Sequence, residues 1–501
     1  MDAPAFDHEE ATIAGLGAAL RSGSLTVRAL TEAYLERISA VDPMVRSVLQ
    51  TNPDVTQIAE ALDAELRSTG PRGTLHGIPV LVKDNIDTAD RMQTTAGSFA
   101  LGEVVPSVDA FLIARLRAAG AVILGKANLS EWANFRSTRS TSGWSARGGQ
   151  SRNPYARDRS PCGSSSGSAV AVSANLCAVA VGTETDGSIL CPSGINGIVG
   201  IKPTVGRVSR TGLVPISHTQ DTPGPMARTV ADAAAVLSAI AGPDEGDPAT
   251  IAAPIVDIGS MDENGLRGAR IGVARNLAGF HDVVDRVFTD ALAAIDDLGA
   301  DLVDPTEVPH ATELEEPELE VLLYEFKAGL ETYLTGRGTR QPLRTLADLI
   351  AFNQEHADDE MPFFGQELFE KANERGPLTE PAYLEALATC RRLSRSEGLD
   401  AAFEQHGLDA LVAPTNGPAW VIDYANGDHY LGGDSTPAAV AGYPSVTVPA
   451  GSAFGLPVGI SFIGRPWSEG GLIRFAAAFE RATQARTPPR LLRSLAAEIG
   501  S

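Results

Sequence analysis

The chain has 501 residues, 43% of them hydrophobic, with 40 lysines and arginines against 63 aspartates and glutamates and a formal net charge of −23. Such length and apolar content allow a large packed core and exclude a disordered chain. The excess acid opposes binding to nucleic acid or to anionic membranes and reads as solubilising surface charge. No run approaches the roughly 18 apolar residues of a membrane span, and the acidic N-terminus lacks a basic-then-apolar leader pattern, so a cytoplasmic protein is expected.

Val27, Leu30, Tyr34 and Ile38 fall at helical spacing within 24–41, and 53–67 repeats that pattern, which predicts a helical lead-in over 1–70. Gly77-Ile-Pro-Val-Leu-Val-Lys-Asp84 is a short apolar run ending in charge, the pattern of a buried strand that finishes at Lys83 and Asp84. A helix at about 108–119 and the strand Ala121-Val-Ile-Leu-Gly125 complete a βαβ rhythm. The stretch from Ser160 to Thr204 is the most unusual. Serine and glycine crowd its two turns, whereas 169–181 is small, apolar and nearly uncharged, which predicts a buried helix followed by a buried strand. Rigid backing behind glycine-permissive turns presents hydroxyls and backbone N–H groups to a ligand.

Val230 to Ala241 reads as an alanine-rich helix and Arg270 to Ala274 as a strand. Helix dominates about 282–405, with charged amphipathic segments around 313–335 and 382–405, and this part is expected to form an insertion on the substrate side. Strands return at 408–414, 445–449 and 457–464 before a closing helix over 469–484. Strands at both ends of the chain are too apolar to face water. They predict an α/β fold with one central mixed sheet covered by helices on both faces, in a single domain whose core is 71–245 and whose sheet is completed by 406–501.

Cys162, Cys177, Cys191 and Cys390 show no CxxC or Cys/His zinc spacing, so neither a metal site nor a disulfide framework is indicated. Reduced thiols are expected, with Cys162 and Cys191 as small structural residues in the two Ser/Gly turns. The eight histidines occupy no motif, which leaves a Ser-His-Asp triad without an evident base. Gly163-Ser-Ser-Ser-Gly167 formally matches the GxSxG nucleophile elbow with Ser165 at its centre, a weak signal in so Ser/Gly-rich a segment. The same turn could form an anion nest, although no GxxxxGK[ST] is present. Taken singly, a lysine at a strand end is ordinarily a solvated charge, and Ser164 and Ser188 are ordinary turn or cap residues.

Taken together, Gly77-Ile-Pro-Val-Leu-Val-Lys-Asp-Asn85, Gly163-Ser-Ser-Ser-Gly-Ser-Ala169, Gly182-Thr-Glu-Thr-Asp-Gly-Ser-Ile189 and Gly200-Ile-Lys-Pro-Thr204 resemble the amidase signature family in motif, order and separation. The similarity extends over most of the chain, to Asp409-Ala-Leu-Val-Ala-Pro-Thr415 and Gly455-Leu-Pro-Val-Gly459. Longer strings, Asn128-Leu-Ser-Glu-Trp-Ala-Asn134 and Gly143-Trp-Ser-Ala-Arg-Gly-Gly-Gln150, look like its bacterial peptide-amidase branch. Asp186 and Leu190, where the wider family commonly has glycine and arginine, and Ser166 for a second glycine, look like variants of that branch.

The resemblance implies a serine amidohydrolase without metal or cofactor. It would convert a carboxamide to carboxylate and ammonia through an acyl-enzyme, with amidated peptides or amino-acid amides as substrates. It assigns Ser188 as nucleophile, Ser164 after a cis peptide as the bridging serine, and Lys83 as base. The N–H groups of Thr185, Asp186 and Gly187 fall on the oxyanion hole, and Asn128 and Trp132 near the substrate. The chemistry is coherent, because a lysine accepts a proton only when neutral, which requires burial with no carboxylate holding its charge. Strand alternation is expected to send Asp84 to the opposite face from Lys83. The alternatives are an aryl or aliphatic amidase, an amidotransferase A-type subunit, and an esterase built on Ser165.

Overall fold

The computed structural model describes residues 7–102, 104–254, 261, 264–337 and 342–495. The outer ends of the expected lead-in and return segments, 1–6 and 496–501, and residues 338–341 of the helical stretch lie outside the described residues. The apolar runs assemble as one sheet of eleven strands. From one edge to the other these are Val48–Thr51, Val122–Ala127, Pro79–Lys83, Val179–Glu184, Thr222–Ala227, Val199–Lys202, Ser445–Ala453, Leu456–Ile463, Ala410–Pro414, Arg270–Ala274 and Asp301–Thr306. The sheet is mixed: Pro79–Lys83 runs parallel to both its neighbours, while Thr222–Ala227 is antiparallel to Val179–Glu184. The fold is therefore α/β with helices packed on a large central mixed sheet, as the apolar strand pattern requires.

Local chemistry sets the helix starts. Thr26 accepts the Ala29 N–H at 3.0 Å, and Asp63 takes the N–H groups of Val27 and Arg28 at 2.7 and 3.0 Å, so the helices Val27–Val45 and Val55–Thr69 are joined where the first begins. The Ser/Gly stretch gives the buried helix Ser166–Ser173, every residue of which is buried, and then the strand Val179–Glu184. A second core lies beneath the helix Glu315–Gly336, where Phe326 and Leu330 pack with Trp132, Phe135 and Phe369. Among the described residues no helix is long and apolar enough to cross a membrane.

This arrangement puts functional chemistry at strand ends. Lys83 and Glu184 close two adjacent parallel strands, the end of an open α/β sheet at which ligands bind.

Candidate active site

Pro79–Lys83 is buried along its whole length, so its last side chain has no route to water, and Lys83 is fully buried. Its Nζ lies 2.7 Å from Ser164 Oγ, 2.9 Å from Thr183 Oγ1 and 3.2 Å from the Thr183 carbonyl. Burial pulls its pKa from 10.5 down to about 7, against the opposing fields of Asp221 and Glu184. Asp84 points away: it accepts the hydroxyl and N–H of Thr95 and faces Lys126, as strand alternation predicts. The Gly163–Ser164 peptide bond is cis. A Cβ on Gly163 would come 2.1 Å from Ser130 Oγ, so only glycine fits before Ser164.

The second Ser/Gly turn follows strand Val179–Glu184. Glu184 Oε2 accepts the N–H groups of Ile189 and Leu190 at 2.7 and 2.9 Å, and Cys191 N–H donates to the Gly187 carbonyl at 2.8 Å. Among the described residues, these turn hydrogen bonds leave the N–H groups of Thr185, Asp186 and Gly187 unused. Gly187 has φ +74, and a Cβ there would lie 3.0 Å from Ser435 Oγ. Ser188 keeps 7% of its surface exposed, whereas Lys83 and Ser164 have none, so of the three only Ser188 is open to a ligand. The Ser188 carbonyl accepts the Ser165 N–H at 3.1 Å, which ties the two turns together.

They are tied a second time by a disulfide between Cys162 and Cys191, with Cα atoms 6.1 Å apart. This overturns the expectation of separate reduced thiols. Spacing alone could not reveal the pair, because it is the packing of the two turns against each other that brings 162 and 191 together. Cys177 and Cys390 remain free and buried.

A cavity of about 750 Å³ opens over these turns, lined by Cys162, Gly163, Asp186, Gly187 and Cys191. Trp420 and Tyr430 form one wall, ring to ring at 5.7 Å, and Thr312, Glu315 and Leu368 contribute from the helical part of the chain. The carboxylates at its surface are Asp186, Glu315 and Asp428; among the described residues no lysine or arginine lines it. Asp428 is held by Trp420 Nε1 at 2.9 Å and Ser142 N–H at 3.0 Å, and Asp186 by the hydroxyls of Ser435 and Thr436.

Asn128 and Trp132 are not among the residues that line this cavity. The Asn128 amide donates to the carbonyls of Arg46 and Gly149 and to Ser151 Oγ, and its oxygen accepts from Ser145 Oγ. Trp132 packs edge-on against Phe369, with ring centroids 5.5 Å apart. Between them Glu131 forms a buried ion pair with Arg136 at 2.9 Å. The string is thus held by packing and hydrogen bonds along most of its length, while its last residue, Asn134, lines the cavity. Ser165, the centre of the GxSxG match, is fully buried and donates to the Thr183 carbonyl at 2.9 Å, with no histidine beside it among its hydrogen bonds. Trp420, Asp428 and Tyr430 escaped sequence reading. The signal was a long Gly/Asn/Asp-containing connection between strands Ala410–Pro414 and Ser445–Ala453, a loop length that itself points to function.

A buried lysine whose pKa burial lowers to about 7, hydrogen-bonded to a serine hydroxyl beside a turn with open N–H donors, is an arrangement suited to amide hydrolysis. A sequence profile described as Amidase matches residues 29–473. A probable amidase of Arabidopsis thaliana is 43% identical, over 97% of this chain and 93% of the relative. The chain belongs to the amidase family. The A-type subunit of glutamyl-tRNA(Gln) amidotransferase from Myxococcus xanthus is 36% identical, over 94% of this chain and 96% of its own. Among solved structures, native peptide amidase from Stenotrophomonas maltophilia is 53% identical with a TM-score of 0.93, over 97% of this chain and 100% of that one. Peptide amidase PAM in complex with the competitive inhibitor chymostatin is 54% identical with a TM-score of 0.94, over the same shares.

Proposed function

We propose that the protein hydrolyses the C-terminal amide of peptides or amino-acid amides, releasing ammonia through an acyl-enzyme on Ser188. The observation that carries this reading is Lys83 Nζ at 2.7 Å from Ser164 Oγ in a fully buried setting. A neutral amine has two N–H groups and one lone pair. With the N–H groups on the Thr183 carbonyl and Oγ1, the lone pair faces Ser164 and accepts its hydroxyl proton. Ser164 then takes the proton of Ser188 as Ser188 Oγ attacks the carboxamide carbon. The N–H groups of Thr185, Asp186 and Gly187 receive the developing oxyanion. The proton returns along the same path to the departing ammonia, and water repeats the attack on the acyl-enzyme.

The cavity supports the substrate class. Three carboxylates without a lining cation disfavour an amide that carries a free carboxylate close by, as glutamine does, and favour a peptide whose C-terminus is amidated. Its volume of about 750 Å³ suits one or two residues of peptide. Ammonia release from amidated dipeptides, amino-acid amides and aryl amides tests the reading, with Ser188→Ala and Lys83→Ala alongside the wild type. Folded variants that lose activity on amidated dipeptides support it; Lys83→Ala at wild-type rate removes the mechanism, and a preference for aryl amides removes the substrate class.

A further inference from the structure

The turn that carries Ser188 is anchored at its two ends by different buried acids. At its start, Thr185 Oγ1 donates to Asp221 Oδ1 at 2.6 Å, while Asp221 Oδ2 accepts the N–H groups of Ile216 and Ser217 at 2.8 and 2.9 Å. At its end, Glu184 Oε2 accepts the N–H groups of Ile189 and Leu190. Glu184 and Asp221 are 1% and 8% exposed, so neither is a surface cap. Behind Glu184 stands Lys202, fully buried, and among the described residues neither its Nζ nor Glu184 Oε1 has a hydrogen-bond partner. A buried acid and a buried cation kept apart in this way act through their fields.

The groups around Lys83 are few. Ser164 and Thr183 touch it, and Asn85 donates to Thr183 Oγ1 at 2.9 Å. Asp84, Asp87 and Lys126 form a separate cluster on the other face of the strands, with Lys126 bonded to the Ile86 carbonyl and Thr94. Asp186 is committed to Ser435 and Thr436, whereas Glu184 directly follows Thr183, whose two oxygens touch Lys83 Nζ, and Asp221 holds Thr185 on the same turn, so these are the acids placed to act on Lys83. Burial without any such charge leaves a lysine too weak a base to take a serine proton, and a direct ion pair fixes it as the cation. Two acids held off from Nζ by the turn they anchor lie between these extremes.

We propose that Asp221 and Glu184 are positioning residues acting jointly, in that each holds one end of the nucleophile turn and their combined charges keep Lys83 basic enough to act. The inference rests on Lys83 being the base proposed above. It separates two effects that a structural anchor alone would not separate. Removing one negative charge lowers the proton affinity of Lys83, so neutral base becomes available at lower pH.

The test is kcat/KM against pH for wild type, Asp221→Asn, Glu184→Gln, Asp221→Glu and Thr185→Val, with thermal melts to establish folding. Asp221→Asn is expected to move the acid limb down by roughly one pH unit or more, and Glu184→Gln to move it the same way. Asp221→Glu, which keeps the charge, leaves the limb in place, as does Thr185→Val, which loses the anchor but no charge and lowers kcat alone. Should Asp221→Asn not fold, Glu184→Gln carries the same test of sign. Limbs that stay put or move up in the charge-removing variants overturn the inference while an inactive Lys83→Ala leaves the proposed base standing. Wild-type rates in Lys83→Ala overturn both.

Discussion

Replacing Lys83 with methionine should abolish activity and make the protein more stable. Lys83 is protonated below about 7 in the fold and below 10.5 in the free chain, so between those values the unfolded state holds the extra proton. Stability then rises with pH: the penalty of burying this lysine is full below pH 7 and is lost as pH approaches 10.5. The difference of about 3.5 units, at 1.36 kcal/mol each, gives a penalty of about 5 kcal/mol at pH 6, which falls to about 2 kcal/mol at pH 9. Methionine leaves Ser164 Oγ and the two Thr183 oxygens without this partner, a loss of about 2 kcal/mol. The net gain is about 3 kcal/mol at pH 6 and close to zero at pH 9. With an unfolding entropy near 2.1 cal/mol/K per residue, that is a rise in Tm of about 3 °C at pH 6 and almost none at pH 9. Melting of both proteins across this pH range is the assay. A lower Tm for Lys83→Met at pH 6, or a difference that does not shrink with pH, refutes the reasoning.

Gly187→Ala forces an alanine into φ +74 against Ser435 Oγ and displaces the N–H donors; kcat should fall by about 10²-fold with KM little changed, as steady-state kinetics will read. The Cys162–Cys191 disulfide spans 29 residues, so Cys162→Ser with Cys191→Ser should remove about 3–4 kcal/mol of stability, and a melt equal to the wild type's would contradict that. Free glutamine should be turned over at less than about one tenth of the rate of an amidated dipeptide, and Asp428→Asn should narrow the gap.

How far the sequence foretold this molecule depended on where the signal lay. Apolar runs such as 79–83 and 410–414 declare buried strands because no other element hides such residues. Thr222–Ala227 did not, since Pro223 and Pro225 in one strand argue against a place inside a sheet, yet it pairs along its length with Val179–Glu184. Val199–Lys202 and Asp301–Thr306 were too short or too polar to stand out. At the site, the motifs carried Lys83, Ser164 and Ser188, which the fold gathers around two adjoining turns. Within the string 128–134, Asn128 is held by hydrogen bonds and Trp132 by ring packing while Asn134 lines the cavity, a division that the string itself does not disclose. Asp221, Trp420 and Asp428 carry no local pattern: Asp221 matters through Thr185, and Asp428 through Ser142, residues distant in the chain that the fold brings beside them.

Covalent trapping tests the central claim most directly. Wild type quenched with acid during turnover of an amidated dipeptide, digested and examined by mass spectrometry, should carry the acyl group on the peptide containing Ser188, and neither Ser188→Ala nor Lys83→Ala should accumulate it. An adduct on Ser165, or one that forms equally fast without Lys83, would contradict the account.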